Sequence, residues 1–251
     1  MPQPSPSPAE APADASTSTA AEEGRIRRVY AARRDDGRYS WLSPGHLFLL
    51  QERERAVLAL FRRECPAGLA GLDVLDLGCG TGFWLRELVK WGAAPERLVG
   101  VDLLPERVER ARALGPPGAG LHCASAAATG LPAAGFDLVL QSMVFTSILS
   151  AELRAEVARE MLRLVRPAGF VLWYDFRVNN PANPAVRGVG RREIGRLFPG
   201  CRIRLRSVTL APPLARRLAP RCRLLAEGLA LLPPLRTHYL GVIRPGGPDE
   251  G

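Results

Sequence analysis

The stretch VLDLGCGTG at residues 74–82, with the later run VGVDL at residues 99–103, decides how the rest of this chain is read. Val74, Leu75 and Leu77 favour a buried, pleated strand, and Gly78, Gly80 and Gly82 forbid its continuation. Glycines at alternate positions reach positive φ and carry no Cβ. The chain is therefore expected to pass beneath a bound group with its N–H groups turned toward it. Thr81 and the segment beyond start a helix whose apolar residues Phe83, Trp84, Leu88 and Trp91 recur at helical spacing. The positive end of its dipole favours a carboxylate or phosphate at the loop.

Asp102 follows Gly82 by twenty residues, at the end of a second apolar run, residues 98–103. In doubly wound sheets a carboxylate at that place accepts hydrogen bonds from both hydroxyls of a ribose. The loop is not the dinucleotide fingerprint, because Phe83 stands where that pattern has its third glycine. A nicotinamide oxidoreductase, whose pyrophosphate this residue would crowd, stays an alternative, as does a plain strand-to-helix turn beside a surface Asp.

The order acid, apolar, Gly, x, Gly, x, Gly, with Asp76 two residues before the first glycine, resembles motif I of the class I S-adenosylmethionine-dependent methyltransferases. VGVDL resembles their motif II. The resemblance implies an α/β fold: a doubly wound, mostly parallel seven-stranded sheet in the order 3-2-1-4-5-7-6, strand 7 antiparallel, with helices on both faces. It implies S-adenosylmethionine as cofactor. Asp76 and the backbone of Gly78, Cys79, Gly80, Thr81 and Gly82 would hold the methionine part, and Asp102 with Leu103 the ribose side. Many members carry an acid after strand three to touch the adenine; this chain reads SAAATGLP from residue 125, so Ser125, or a backbone N–H near Ala126, is expected to serve instead. The fourth strand, residues 136–143, fits motif IV and would place Gln141, Ser142 and Met143 along the cleft.

At 251 residues, one catalytic domain of ordinary size is expected. Residues 1–24 are rich in Pro, Ala, Ser and Thr, with neither a basic nor an apolar signal region, and read as a disordered leader. Residues 25–70 form a helical lid segment with a helix over 46–65, and the resemblance makes Tyr30, Tyr39 and Trp41 candidate lid or substrate contacts. Residues 71–251 form the cofactor-binding domain. Its further helices are expected at 105–114, 151–166, 191–198 and 214–232, and its further strands at 121–124, 170–176, 202–210 and 237–244.

The net charge of +9 and pI near 10.1 invite a nucleic-acid reading. Lys90, however, is the one lysine, and the arginines accompany a general Ala, Gly and Pro bias. Their clusters suit solvated faces or an acidic small substrate equally. An RNA methyltransferase remains an alternative. No DNA partner is expected, because the Asn/Asp-Pro-Pro-aromatic signature that grips an unstacked base is missing after strand four. Five cysteines without CxxC spacing point to neither disulfides nor a metal site and fit a reducing cytoplasm. The most apolar run, residues 224–235, is broken by Glu227, Pro233 and Pro234, so no membrane span is expected; core packing competes there with lipid or subunit contact.

The polar loop WYDFRVNNPANPAVRGVGRREI, residues 173–194, follows the fifth strand at the sheet edge where doubly wound folds bind ligands. Tyr174 and Asp175 are the candidate catalytic pair, and Arg177, Asn179, Asn180, Asn183 and Arg187 the candidate contacts to a small-molecule acceptor. His46, His122 and His238 are isolated and form no triad or metal pattern.

Overall fold

The computed structural model describes residues 15–32, 40–180 and 183–246. The strands appear where branched and apolar residues run between Gly and Pro. They are β1 (Val74–Leu77), β2 (Leu98–Asp102), β3 (Gly120–Cys123), β4 (Phe136–Ser142), β5 (Val165–Phe176), β6 (Arg202–Leu210) and β7 (Arg236–Arg244). They join one sheet in the order β3-β2-β1-β4-β5-β7-β6. β1 to β5 pair in parallel, and β7 runs antiparallel to both β5 and β6. This is the expected doubly wound topology.

The helices are α1 (Ala15–Ala31), α2 (Pro44–Glu64), α3 (Phe83–Lys90), α4 (Pro105–Leu114), α5 (Ala151–Leu164), α6 (Arg191–Leu197), α7 (Pro212–Leu218) and α8 (Arg223–Ala230). α2, α4 and α7 each begin on a proline, whose fixed φ suits a first helical position where no N–H partner is needed. Ser150 caps α5 by accepting the Leu153 N–H at 3.1 Å.

Successive strand residues point to opposite faces, which divides the core in two. Leu75, Leu77, Val139, Val171 and Trp173 meet Val157 and Met161 of α5 and Ile194 of α6. Val74, Leu138, Leu140, Leu172 and Tyr174 meet Phe61 of α2 and Trp84 and Leu88 of α3. At the edge away from the glycine loop, Arg166 bridges Asp137 at 2.6 Å and Asp73 at 2.8 Å, tying the starts of β1, β4 and β5 together.

Three segments depart from expectation. The leader thought disordered over 1–24 is helical from Ala15, because Glu22 and Arg25 find partners on the main domain that composition does not reveal. The single helix expected over 214–232 is two, with Pro220 between them, where the missing N–H and the ring oppose continuation. β5 starts at Val165 rather than after Gly169, with a register shift against β4. Gly169 lies so close to the Asp137 carbonyl that a Cβ would stand 2.6 Å from it.

Candidate active site

The glycine bend lies at the C-terminal edge of the parallel strands. Gly78, Gly80 and Gly82 take φ of +78°, +55° and +75°, and a Cβ on Gly78 would run into Val144. The amides are not turned outward as expected. Gly78 and Cys79 both donate to the Val101 carbonyl, at 2.7 and 2.9 Å, and Gly82 donates to the Cys79 carbonyl at 2.9 Å. Gly80 donates to Asp102 Oδ2 at 2.8 Å. Left-handed turns at alternate residues fold the Gly78, Cys79 and Gly80 donors onto the end of β2 and the Gly82 donor back into the bend.

Above the bend lies a cavity of ≈ 340 Å³, bordered by Gly78, Asp102, Leu103, Ser125, Ala126 and Met143 among others. Asp102 Oδ1 also accepts the Leu104 N–H, at 3.0 Å. A carboxylate offers about four acceptor positions, so roughly two remain for a ligand. Ser125 Oγ is hydrogen-bonded to Glu23 and accepts the Ala127 N–H at 3.1 Å.

The wall facing Asp102 is α1, which contributes Glu23, Ile26 and Tyr30. Glu22 accepts the N–H groups of Leu149 and Ser150 ahead of α5, where the helix dipole favours a carboxylate. Arg25 pairs with Glu22 at 2.7 Å and donates to the Ser147 carbonyl at 2.6 Å. The Tyr30 hydroxyl bonds Ser147 Oγ at 2.9 Å, and Arg107 lies 4.2 Å over the Tyr30 ring. Tyr39 lies outside the described residues.

Asp76 and Gln141 stand behind the cavity, fully buried, and line neither it nor the second cavity described below. Both Asp76 oxygens are without a hydrogen-bond partner among the described residues. Burial, and secondly the charge of Asp102, push its carboxyl up to about 8. Gln141 Oε1 accepts the Val144 N–H at 3.3 Å and so pins the turn after β4. Cys79 is buried in the bend, its thiol pushed well up by burial.

A second cavity, ≈ 460 Å³, opens at the ends of β4 and β5. Met143 lines both cavities, so the end of β4 stands between them. Its φ of +66° is uncommon for a side chain of this size, and its N–H is tied to the Tyr174 carbonyl at 2.9 Å. Thr81 and Tyr174 line this second cavity rather than the first. The Tyr174 hydroxyl bonds Thr209 Oγ1 at 3.0 Å, and burial raises it to about 12.

The expected catalytic pair is not brought together. Asp175 follows Tyr174 on β5 and therefore faces the other side of the sheet. It is fully buried and lines neither cavity. Its oxygens accept the N–H groups of Thr146, at 3.1 Å, and Phe176, at 2.8 Å. Burial pushes its carboxyl up to about 7 against these bonds.

The loop after β5 closes largely on itself. Asn179 accepts the Gly188 N–H at 3.0 Å, and Asn183 forms a turn with Ala185 at 3.2 Å. Arg177 donates to the Arg236 carbonyl at 2.8 Å, and Arg187 pairs with Glu193 at 2.7 Å. None of Arg177, Asn179, Asn183 and Arg187 lines either cavity. The second cavity is instead bordered by Arg53 and His46 of α2, Phe83 and Arg86 of α3, and Arg216 and His238 from the C-terminal part. Phe83 was marked by the glycine motif; no motif marked Arg53, Arg86 or Arg216. Among the described residues no cluster of His, Cys, Asp or Glu could hold a metal ion, and no helix is long and apolar enough to cross a membrane.

Residues 74–169 match the family model described as a methyltransferase domain. A SAM-dependent methyltransferase from Mesorhizobium loti superposes with a TM-score of 0.56 at 20% identity, over 75% of this chain and 97% of that one. One from Archaeoglobus fulgidus gives 0.54 at 18%, over 78% and 97%. The [4+2]-cyclase SpnF gives 0.58 at 16%, over 78% and 82%. No curated protein matches the chain. Likeness at these identities establishes the fold, and the cyclase among the neighbours leaves the chemistry to the domain match. That match, the strand order and the carboxylate beside a glycine bend define the class: a Rossmann-like methyltransferase domain. Residues 74–169 thus carry the match to a methyltransferase domain, and the fold around them is the one seen in S-adenosylmethionine-dependent methyltransferases.

Proposed function

We propose that this chain transfers the methyl group of S-adenosylmethionine to a small molecule held in the second cavity. The observation that carries the reading is Met143, which lines both cavities and leaves one β4 end between cofactor and acceptor. The first cavity suits the cofactor: Asp102 keeps free acceptor positions, Glu23 and Asp102 give it two carboxylates for a cation, and Gly78 presents no Cβ. When bound, the cofactor supplies an electrophilic methyl on a sulfonium.

The chain's own part is alignment, exclusion of water and removal of a proton. Asp102 would accept from the ribose hydroxyls, and Leu103 and Ala126 would flank the base. Asp76, buried behind the first cavity with both oxygens unpartnered among the described residues, backs the glycine bend rather than touching the cofactor directly. α1, anchored through Glu22, Arg25 and Tyr30, shuts out water. His46 is held below its usual range by burial and by the charges of Arg53 and Arg216. It is thus neutral and placed to take the acceptor's proton, while Tyr174 and Thr209 orient the acceptor. Asp175 acts through the Thr146 turn it holds. The unpaired cysteines suit a cytoplasmic setting.

Calorimetry with S-adenosylhomocysteine, followed by its release from S-adenosylmethionine in the presence of metabolite pools, tests the reading. Micromolar binding and release that depends on small molecules are expected. No binding of S-adenosylhomocysteine, or release that requires RNA and falls steeply with salt, would overturn it.

A further inference from the structure

We propose that the acceptor is a planar molecule bearing a carboxylate, and that Arg53 in the second cavity receives that carboxylate. The inference rests on the acceptor site proposed above and names the chemistry that site selects. Arg53 comes from the middle of α2, and its guanidinium carbon lies 4.6 Å from the Phe83 ring centre, 4.8 Å from Trp84 and 5.6 Å from Tyr174. Among the described residues it makes no hydrogen bond or ion pair to a carboxylate.

Elsewhere the chain pairs a guanidinium that it buries. Arg154, whose side chain is fully buried, meets Glu193 at 2.6 Å and donates to the carbonyls of Ile148 and Arg187. Arg53 is only half-buried, at the cavity wall, so its guanidinium is partly shielded from water yet keeps an edge open to the cavity, where a ligand carboxylate would pair with it. The nearest carboxylates that Arg53 feels, Glu54 and Glu87, are held by Lys90 at 2.7 and 3.1 Å.

The charge around Arg53 is one-sided. Arg53, Arg86 and Arg216 all line the second cavity, and none of its lining residues is Asp or Glu. The first cavity contains Glu23 and Asp102 against Arg107 alone. A cationic cofactor and an anionic acceptor would therefore each find complementary charge on their own side of Met143. The titratable groups facing Arg53 across the cavity are His46, His238 and Tyr174. His238 is pushed down to about 3 by burial and by the Arg53 charge, so it adds no positive charge at neutral pH and accepts rather than repels a ring.

The walls set the shape. Phe83, Tyr174, Phe176 and His238 border it as a layered set of flat rings, with Tyr174 stacked on His238 at 4.9 Å and Trp41 on Phe83 at 6.2 Å. With aromatic faces against its π surface, the guanidinium offers its edge, which matches a carboxylate in two parallel hydrogen bonds. One fork satisfies a carboxylate. The volume, ≈ 460 Å³, suits a molecule of one or two rings.

The test uses 2-naphthoate and its neutral isostere 2-naphthamide, titrated calorimetrically into the full chain with and without S-adenosylhomocysteine. The acid is expected to bind at least about tenfold more tightly than the amide in wild type. Arg53→Met should bring the two within about twofold, and Arg53→Lys should keep part of the preference. Equal binding of acid and amide, no binding of either, or an undiminished preference in Arg53→Met would overturn the proposal. The wild-type comparison decides even if the variants fold poorly. Failure of S-adenosylhomocysteine to bind, with the acid still preferred, would instead count against the cofactor reading alone.

Discussion

Replacing Asp102 by Ala removes one carboxylate that serves two purposes, and both are measurable. Its oxygens accept the Gly80 N–H at 2.8 Å and the Leu104 N–H at 3.0 Å. Hydrogen bonds to a charged group contribute about 1.5–3 kcal/mol each. Because Asp102 borders a cavity that water enters, the lower figure applies, giving a stability loss of about 3 kcal/mol in urea denaturation. The same change deletes the acceptor for the ribose hydroxyls and should weaken S-adenosylhomocysteine binding by about 1–3 kcal/mol. That corresponds to about 5- to 150-fold in Kd by calorimetry. Asp102→Asn, which keeps one carbonyl oxygen, should fall between. A wild-type Kd in the Ala variant would refute the ribose role. An unchanged urea midpoint would refute the view that this carboxylate holds the bend. Asp76 supplies a third readout: part of the upward push on its carboxyl comes from the Asp102 charge, so its titration should move down in the variant.

Gly78→Ala combines a left-handed backbone, costing about 1–2 kcal/mol for a non-glycine residue, with overlap on Val144, about 1–3 kcal/mol more. A urea midpoint shifted accordingly, at unchanged m, is expected. Asp76 has a folded-state value near 8, above its ordinary 3.8, so the folded state holds the proton longer and stability falls as pH rises from about 4 to about 8. Asp76→Asn should flatten that part of the profile; parallel wild-type and variant profiles would contradict the assignment. For Glu22, burial alone would raise the carboxyl, but Arg25 and the Leu149 and Ser150 N–H groups outweigh it and hold it below its usual range. Its contribution is therefore present above about pH 4.5 and lost as pH falls through the lowered value. Glu22→Ala should loosen α1 by about 1–2 kcal/mol, seen as faster amide exchange over residues 19–30 while the sheet stays protected.

The strand positions and the glycine motif were legible because they rest on short-range rules, and the strand order followed from the resemblance that the motif carries. A buried strand ends where alternate glycines stand, and the spacing from Gly82 to Asp102 covers one helix and one strand. Tyr174 and Asp175 could not both face a ligand on a regular strand, and period-two alternation already contains that fact. The helix over residues 15–31 was hidden, since a segment poor in large apolar residues is held mainly by Glu22, Arg25 and Tyr30 reaching residues 147–150.

By itself, then, the sequence determined the first two strands, the glycine bend between them and the carboxylate beside it, all set by neighbours within one strand–helix–strand unit. Only the tertiary structure decided that the bend's amides point to β2, that α1 covers the first cavity, and that Arg53 meets Tyr174 and His238 across the second. The physical reason is distance along the chain. Periodicity and turn chemistry act over a few residues, whereas a cavity is walled by side chains more than a hundred residues apart, whose meeting is a property of packing.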